Sequence, residues 1–142
     1  MVEEKIWPML VYSSNPLDSP QHLFEIKWDG TRCIPFVKGD ELWLQNRRVE
    51  DIACRYQELA ELREGIRAKN AMLDGERIVL SRGKNSFKKL QQRERIVSPL
   101  KSKLLSQKPP ATYIVFDILF LNGKRRTELP LPERKKLLQD IL

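Results

Sequence analysis

At 142 residues the chain is about one domain long, enough to bury a core of the usual kind and too short for a second. Its 26 Lys and Arg against 19 Asp and Glu leave a net charge of +7, spread along the chain, which favours a polyanionic partner met through phosphate contacts. On charge alone, a basic soluble protein with no nucleic-acid partner reads equally well. A lone histidine, His22, excludes a histidine-rich metal site or a Ser-His-Asp triad built from this chain by itself, and reads as incidental. The two cysteines, Cys33 and Cys54, follow no metal-ligand spacing and imply reduced thiols in an intracellular, cytoplasmic protein.

In chain order, the start MVEEKIWPML carries acids where a secretory leader would be basic, so no targeting segment is expected. Pro8, Pro16 and Pro20 with Ser13, Ser14, Asn15 and Asp18 give loop chemistry over 8–21. His22 to Lys27 reads as a strand ending at the Asp29-Gly30 turn. Cys33 to Lys38 is the returning strand, Gly39-Asp40 a second turn and Glu41 to Asn46 a third strand, together an antiparallel meander. Tyr56, Leu59, Leu62 and Ile66 recur at helical spacing and predict an amphipathic helix over 55–67. Ala71 to Leu80 returns to strand character, and Ser86 can cap a helix that buries Phe87 and Leu90.

Thr112 to Leu121 reads as a buried central strand closed by the hairpin signal Asn122-Gly123. Its apolar run is broken by Asp117 and falls far short of the ~20 residues of a membrane span, so no membrane association is expected. Pro132 opens a last helix whose apolar side is Leu137, Leu138 and Ile141. Trp7, Trp28 and Trp43 read as core or edge packing. The pattern predicts an α+β domain, an antiparallel sheet with flanking helices.

The segment with most chemistry is Phe24-Glu25-Ile26-Lys27-Trp28-Asp29-Gly30-Thr31-Arg32. A lysine before a glycine turn, with a carboxylate and a guanidinium beside it, can serve as a nucleophile if its surroundings favour the free amine. A surface hairpin with solvated charges is the plainer reading of Lys-x-Asp-Gly alone. Lys27, Asp29, Gly30 and Arg32 nevertheless match Lys-x-Asp-Gly-x-Arg, and the segment resembles the nucleotidyl-lysine motif of the covalent nucleotidyltransferases. Further stretches follow in the order found in ATP-dependent DNA ligases. Arg47 stands where that family has an arginine in a Ser-Arg-Asn type segment, although Asn46 and Arg48 replace the usual neighbours. Asp51-Ile52 with Arg55 to Leu59 resembles what comes next. Leu73-Asp74-Gly75-Glu76 resembles the third motif, Asn85-Ser86-Phe87 with Leu90, Gln91 and Arg93 the helix after it, and Tyr113 to Leu119 the segment with an adenine-stacking aromatic ring.

The resemblance implies the N-terminal portion of a ligase-type nucleotidyltransferase fold and an adenylation reaction using ATP and Mg²⁺. Lys27 would take AMP, then pass it to the 5′-phosphate of nicked double-stranded DNA, which the 3′-hydroxyl seals. Glu25 and Ile26 would lie at the adenine edge, Phe116 would stack on its face and Arg32 would hold ribose or phosphate. Glu76 would act at the ribose or the metal, while Asp29 and Arg47 would serve at the DNA. A carboxylate in an apolar strand must be paired or metal-bound, which makes Asp117 a site candidate beside Asp29. The family's later Glu-Gly and Lys-x-Lys motifs and its oligonucleotide-binding domain find no match up to Leu142. The chain is therefore expected to be a partial adenylation domain over 1–142, its motifs in 21–142, unable to seal DNA alone, with a separately supplied C-terminal half as a candidate partner. The alternatives are a fragment of an mRNA-capping guanylyltransferase or an RNA ligase, and a catalytically silent remnant that only binds nucleic acid.

Overall fold

The computed structural model describes residues 6–107 and 109–142; the acidic residues Glu3 and Glu4, on which the reading of the N-terminus rested, lie outside them. Strand β1 (Thr31–Lys38) turns through Gly39, at φ +57°, into β2 (Glu41–Asn46), with Phe36 opposite Trp43. On its other edge β1 pairs antiparallel with β3 (Asn70–Ser81), which sets Arg32 opposite Glu76 and Phe36 opposite Met72. The other edge of β3 takes β5 (Ala111–Leu121), with register shifts at Met72/Leu73 and Asp74/Gly75. Two short strands, β4 (Lys84–Asn85) and β6 (Lys124–Arg125), fold back on β3 and β5. The sheet runs β2-β1-β3-β5-β6, antiparallel throughout. Asn122 and Gly123, at φ 45° and 89°, make the tight turn their dipeptide predicts.

The meander differs from expectation at its first member. Residues 23–28 form no strand, because both edges of β1 are already taken by β2 and β3; Leu23, Phe24 and Ile26 stand exposed. The helix expected over 55–67 is also broken. It becomes two 3₁₀ turns, Ala53–Arg55 and Gln57–Glu61, followed by the short α1 (Leu62–Gly65). The break is at Tyr56, whose φ −133° and ψ 59° leave the helical region and bury its ring against Arg77 and Arg93. The apolar stripe survives the break: Tyr56, Leu59 and Ile66 are buried.

Helix α2 (Phe87–Glu94) starts after Ser86 as expected, although the Ser86 hydroxyl makes no capping bond. Helix α3 (Pro99–Gln107) lies in a stretch where the sequence reading predicted none, and α4 (Leu131–Ile141) has its proline in the first turn. Trp7 is 75% exposed, so it is not a packing residue.

Alternation along the strands sorts the side chains to two faces. Cys33, Val37, Leu44, Ala71, Leu73, Val79 and Ile118 are buried in two clusters under the helices and turns. Leu138 and Ile141 of α4 close one cluster, while Tyr56, Leu59 and Leu90 close the other; Leu42 and Leu62 touch both. Arg32, Phe36, Met72, Asp74 and Glu76 belong to the opposite wall, where a cleft opens. No helix among the described residues is long and apolar enough to cross a membrane.

Candidate functional site

The cleft on that wall encloses about 1300 Å³. Glu25, Ile26, Lys27, Arg32, Glu76 and Phe116, singled out from the sequence, all line it. A second cleft of about 900 Å³ lies alongside, and Lys27, Arg32 and Glu76 border both. Arg47 lines this second space with Arg48, Arg55 and Arg95, against Glu50 and Glu94, so its walls are mainly basic. Asp29 is exposed and lines neither cleft; its carbonyl oxygen accepts from Asn85 Nδ2 at 2.7 Å.

The guanidinium of Arg32 is fixed by a bidentate pair with Asp74, Nε to Oδ1 at 2.5 Å and Nη2 to Oδ2 at 2.7 Å. That geometry is stronger and more directional than a single ionic contact. The hydrogen bond to Asp74 raises the Arg32 pKa against the opposing effect of burial, so the group stays charged. Its carbon lies 4.9 Å from the centre of the Phe116 ring, so the expected adenine-stacking ring packs against a cation here.

Glu76 Oε1 accepts the Gly30 amide at 2.8 Å and so fastens the turn after Lys27 to β3. Lys27 itself is exposed. Glu25 pairs with Lys135 of α4, whose ammonium also donates to the Phe116 carbonyl oxygen. Asp117 meets its need for a partner through Arg134: Nε to Oδ1 is 2.8 Å and Nη2 to Oδ2 is 3.1 Å. Its place in an apolar strand is therefore accounted for by an ion pair to α4.

No group of three or more His, Cys, Asp or Glu among the described residues could hold a metal ion. A magnesium ion bound mainly by phosphates and water needs only one or two protein carboxylates, so a single glutamate bordering both clefts is compatible with it. Both cysteines are free thiols, Cys33 buried and Cys54 exposed, and burial pushes the Cys33 thiol up to about 12.

The sequence reading did not anticipate Asp74, Asn85 and Lys135 as the partners that hold the site residues. Asp74 was quoted within its motif, but the alternation that puts it beside Arg32 depends on the β1–β3 register. Asn85 was likewise quoted within its motif, but its hold on the Asp29 carbonyl 56 positions away had no local signal, and neither did Lys135.

The family model for the ATP dependent DNA ligase domain matches residues 8–142. A DNA ligase of Hyperthermus butylicus is 32% identical over 126 residues, which are 84% of this chain and 20% of that protein. DNA ligase C of Mycobacterium tuberculosis is 33% identical over 137 residues, 95% of this chain and 37% of that protein. The chain thus spans about a fifth to about a third of these relatives. Among solved structures, mycobacterial DNA ligase D complexed with ATP and MES superimposes with a TM-score of 0.66 at 28% identity, over 82% of this chain and 35% of that one.

Proposed function

This chain belongs to the family of ATP-dependent DNA ligase domains, and from that premise we propose that its larger cleft takes ATP and that Lys27 accepts AMP from it. The observation that carries the proposal is that Lys27, Arg32, Glu76, Glu25 and Phe116, from separate stretches of the chain, line one cleft. The curated relatives and the solved structure compared above are DNA ligases, which favours this reading over the capping-enzyme and RNA-ligase alternatives.

In the proposed step the Lys27 amine, having given up its proton to water, attacks the α-phosphorus. A nitrogen–phosphorus bond forms, the bond from that phosphorus to the bridging oxygen breaks, and pyrophosphate leaves with the electron pair. Charge develops on phosphate oxygens, so fixed donors count most. Arg32 is such a donor because Asp74 and Phe116 hold it without help from the ligand. Phe116 offers a ring to the base, and Glu25 offers an acceptor at its edge through the carboxylate oxygen that Lys135 does not take.

When bound, Mg²⁺ would spread the negative charge of the triphosphate, and Glu76 is the residue proposed to hold it. The basic second cleft would then take phosphates of nicked double-stranded DNA, with Arg47 as a contact. We assign Asp29 to the DNA side on its motif alone. The chain is proposed to form one part of an adenylation domain, in keeping with the share of its relatives that it spans.

The test is mass spectrometry of the chain mixed with a separately expressed C-terminal half, ATP and Mg²⁺. An AMP adduct should appear on Lys27 and vanish in Lys27→Ala. An adduct that survives the substitution would sink the assignment.

A further inference from the structure

We propose that Glu94, at the end of α2, is a positioning residue for the Asp29–Arg32 turn, acting together with Arg77 from the helix-covered side of the sheet; the inference rests on reading that turn as part of the nucleotide site. Each of four consecutive residues is tied to β3 or the stretch after it. Asn85 holds the Asp29 carbonyl, Glu76 the Gly30 amide and Asp74 the Arg32 guanidinium, and the Thr31 hydroxyl donates to Glu94 Oε1 at 3.0 Å. All four ties come from residues within or beside the matched motifs. The one at Glu94, next to Arg93 at the end of α2, is embedded in a charge network of its own.

That network is costly to maintain. Arg77 is 1% exposed, with its Nε and Nη1 lacking hydrogen-bond partners, although its guanidinium lies 4.3 Å from the centre of the Tyr56 ring. Its Nη2 reaches Glu94 Oε1 at 3.1 Å and the Arg32 carbonyl oxygen at 3.4 Å. The same Glu94 oxygen accepts the Tyr56 hydroxyl at 2.7 Å. An ion pair with one partner fully buried, the other only partly so, and unsatisfied donors does less for stability than apolar residues of similar volume would. The pair acts instead on geometry: Glu94 grips the Thr31 side chain and Arg77 the Arg32 backbone. Both grips lie at the strand start from which the Arg32 guanidinium and, across the turn, Lys27 project. The position of Tyr56 is explained at the same time, since leaving the helical conformation brings its hydroxyl to Glu94 and its ring to Arg77.

Thr31→Val removes the hydroxyl at nearly constant volume, Thr31→Ser retains it, and Glu94→Gln keeps the shape while removing the charge. The 142-residue chain is examined by amide hydrogen exchange residue by residue, by thermal melting and by titration with ATP with and without Mg²⁺. In Thr31→Val the amides of Gly30, Thr31 and Arg32 should exchange about fivefold to tenfold faster and ATP affinity should fall by a similar factor, the upper part of the range for one ordinary hydrogen bond, since Glu94 keeps Tyr56 and Arg77 as donors. The melting temperature should fall by about 2–6 °C, and Thr31→Ser should stay within about twofold of wild type on every readout. Glu94→Gln should produce the larger effect; if it does not fold, the threonine pair decides. Unchanged exchange at the three amides, faster exchange spread evenly over β1, or looser amides with ATP affinity intact would each overturn the positioning role. A wild-type chain that binds no ATP would count against the nucleotide reading, and the exchange data would then decide by themselves whether Glu94 clamps the turn.

Discussion

Replacing Gly30 by alanine tests how tightly the turn after Lys27 is seated. A Cβ at position 30 would stand 2.2 Å from the Arg77 carbonyl oxygen and 2.9 Å from both Glu76 Cγ and Ile78 Cγ2. The carbonyl cannot retreat, because β3 is paired on one side with Thr31 and on the other with Tyr113 at that residue. The turn must therefore lift away from the sheet, which breaks the Gly30 amide bond to Glu76. Overpacking costs about 1–3 kcal/mol, and loss of a hydrogen bond to a charged acceptor adds about 1.5–3 kcal/mol. Taken together and discounted for relaxation, about 3 kcal/mol is expected, a fall in melting temperature of roughly 6–12 °C for a domain of this size. Gly65→Ala is the control: nothing lies within 4 Å of its added Cβ, and a helical residue gains rather than loses by the change. Circular dichroism melts of the two variants beside wild type give the comparison. If Gly30→Ala melts within 2 °C of Gly65→Ala, the close approach of the turn to β3 is wrong and so is the seating of Lys27 that follows from it.

Alkaline pH should unfold the chain by a stated route. Burial is the main cause that raises the pKa of Cys33, to about 12, and of Tyr56 and Tyr113. Groups raised in the folded state contribute stability that is whole below their unfolded values and is lost as pH climbs through the folded ones. Melting temperatures should therefore hold near neutrality and fall once pH passes about 9, the ordinary thiol value, toward about 12; a level profile to pH 11 would contradict this burial. At pH 8 a thiol reagent should modify Cys54 and spare Cys33 until denaturant is added, as quantitative labelling with peptide mapping would show. Affinity for nicked duplex should drop steeply with salt, and Arg47→Ala should reduce the logarithmic salt slope by about one if Arg47 meets a phosphate; an unchanged slope would remove it from the interface.

Local signals in the sequence were sufficient for most of the sheet. Glu41–Asn46 was read to the residue, and β1, β3 and β5 to within two residues at each end, because turn dipeptides and β-branched runs act within a few positions. The same logic was available for α3, where Ser98 and Pro99 form a helix start and the Ser102 amide returns to the Ser98 carbonyl, but the signal was passed over. Two readings failed for reasons outside their own segments. The strand at His22–Lys27 has turn and apolar chemistry, yet β1 has no vacant edge to receive it. The helix over 55–67 has the correct stripe, yet Tyr56 is drawn out of it by two arginines encoded downstream, at 77 and 93. Most of the candidate site was legible because its motifs carry their own spacing. Its supports, Asp74, Asn85, Glu94, Arg77 and Lys135, were not, because each depends on strand register or on the return of a helix.

That division bears on how the site can work. Arg32 already has its carboxylate partner and its aromatic ring, and Glu25 already has Lys135, so on the proposed function a nucleotide in the larger cleft would meet paired rather than bare charges. Pairing of this kind keeps the desolvation cost of the cations low before the ligand arrives, and leaves their geometry set when it does. Asp74 can stay on Arg32 throughout, since its two oxygens use Nε and Nη2 and leave Nη1 for a phosphate or ribose oxygen. Lys135 occupies only Oε1 of Glu25, so the other carboxylate oxygen is left to accept from an adenine edge. Lys27 borders both clefts. On the proposed chemistry, AMP joined to it from the larger cleft is presented at the mouth of the basic one. The turn that carries it, fastened at 29, 30, 31 and 32, would then supply the fixed point from which a single lysine serves both spaces.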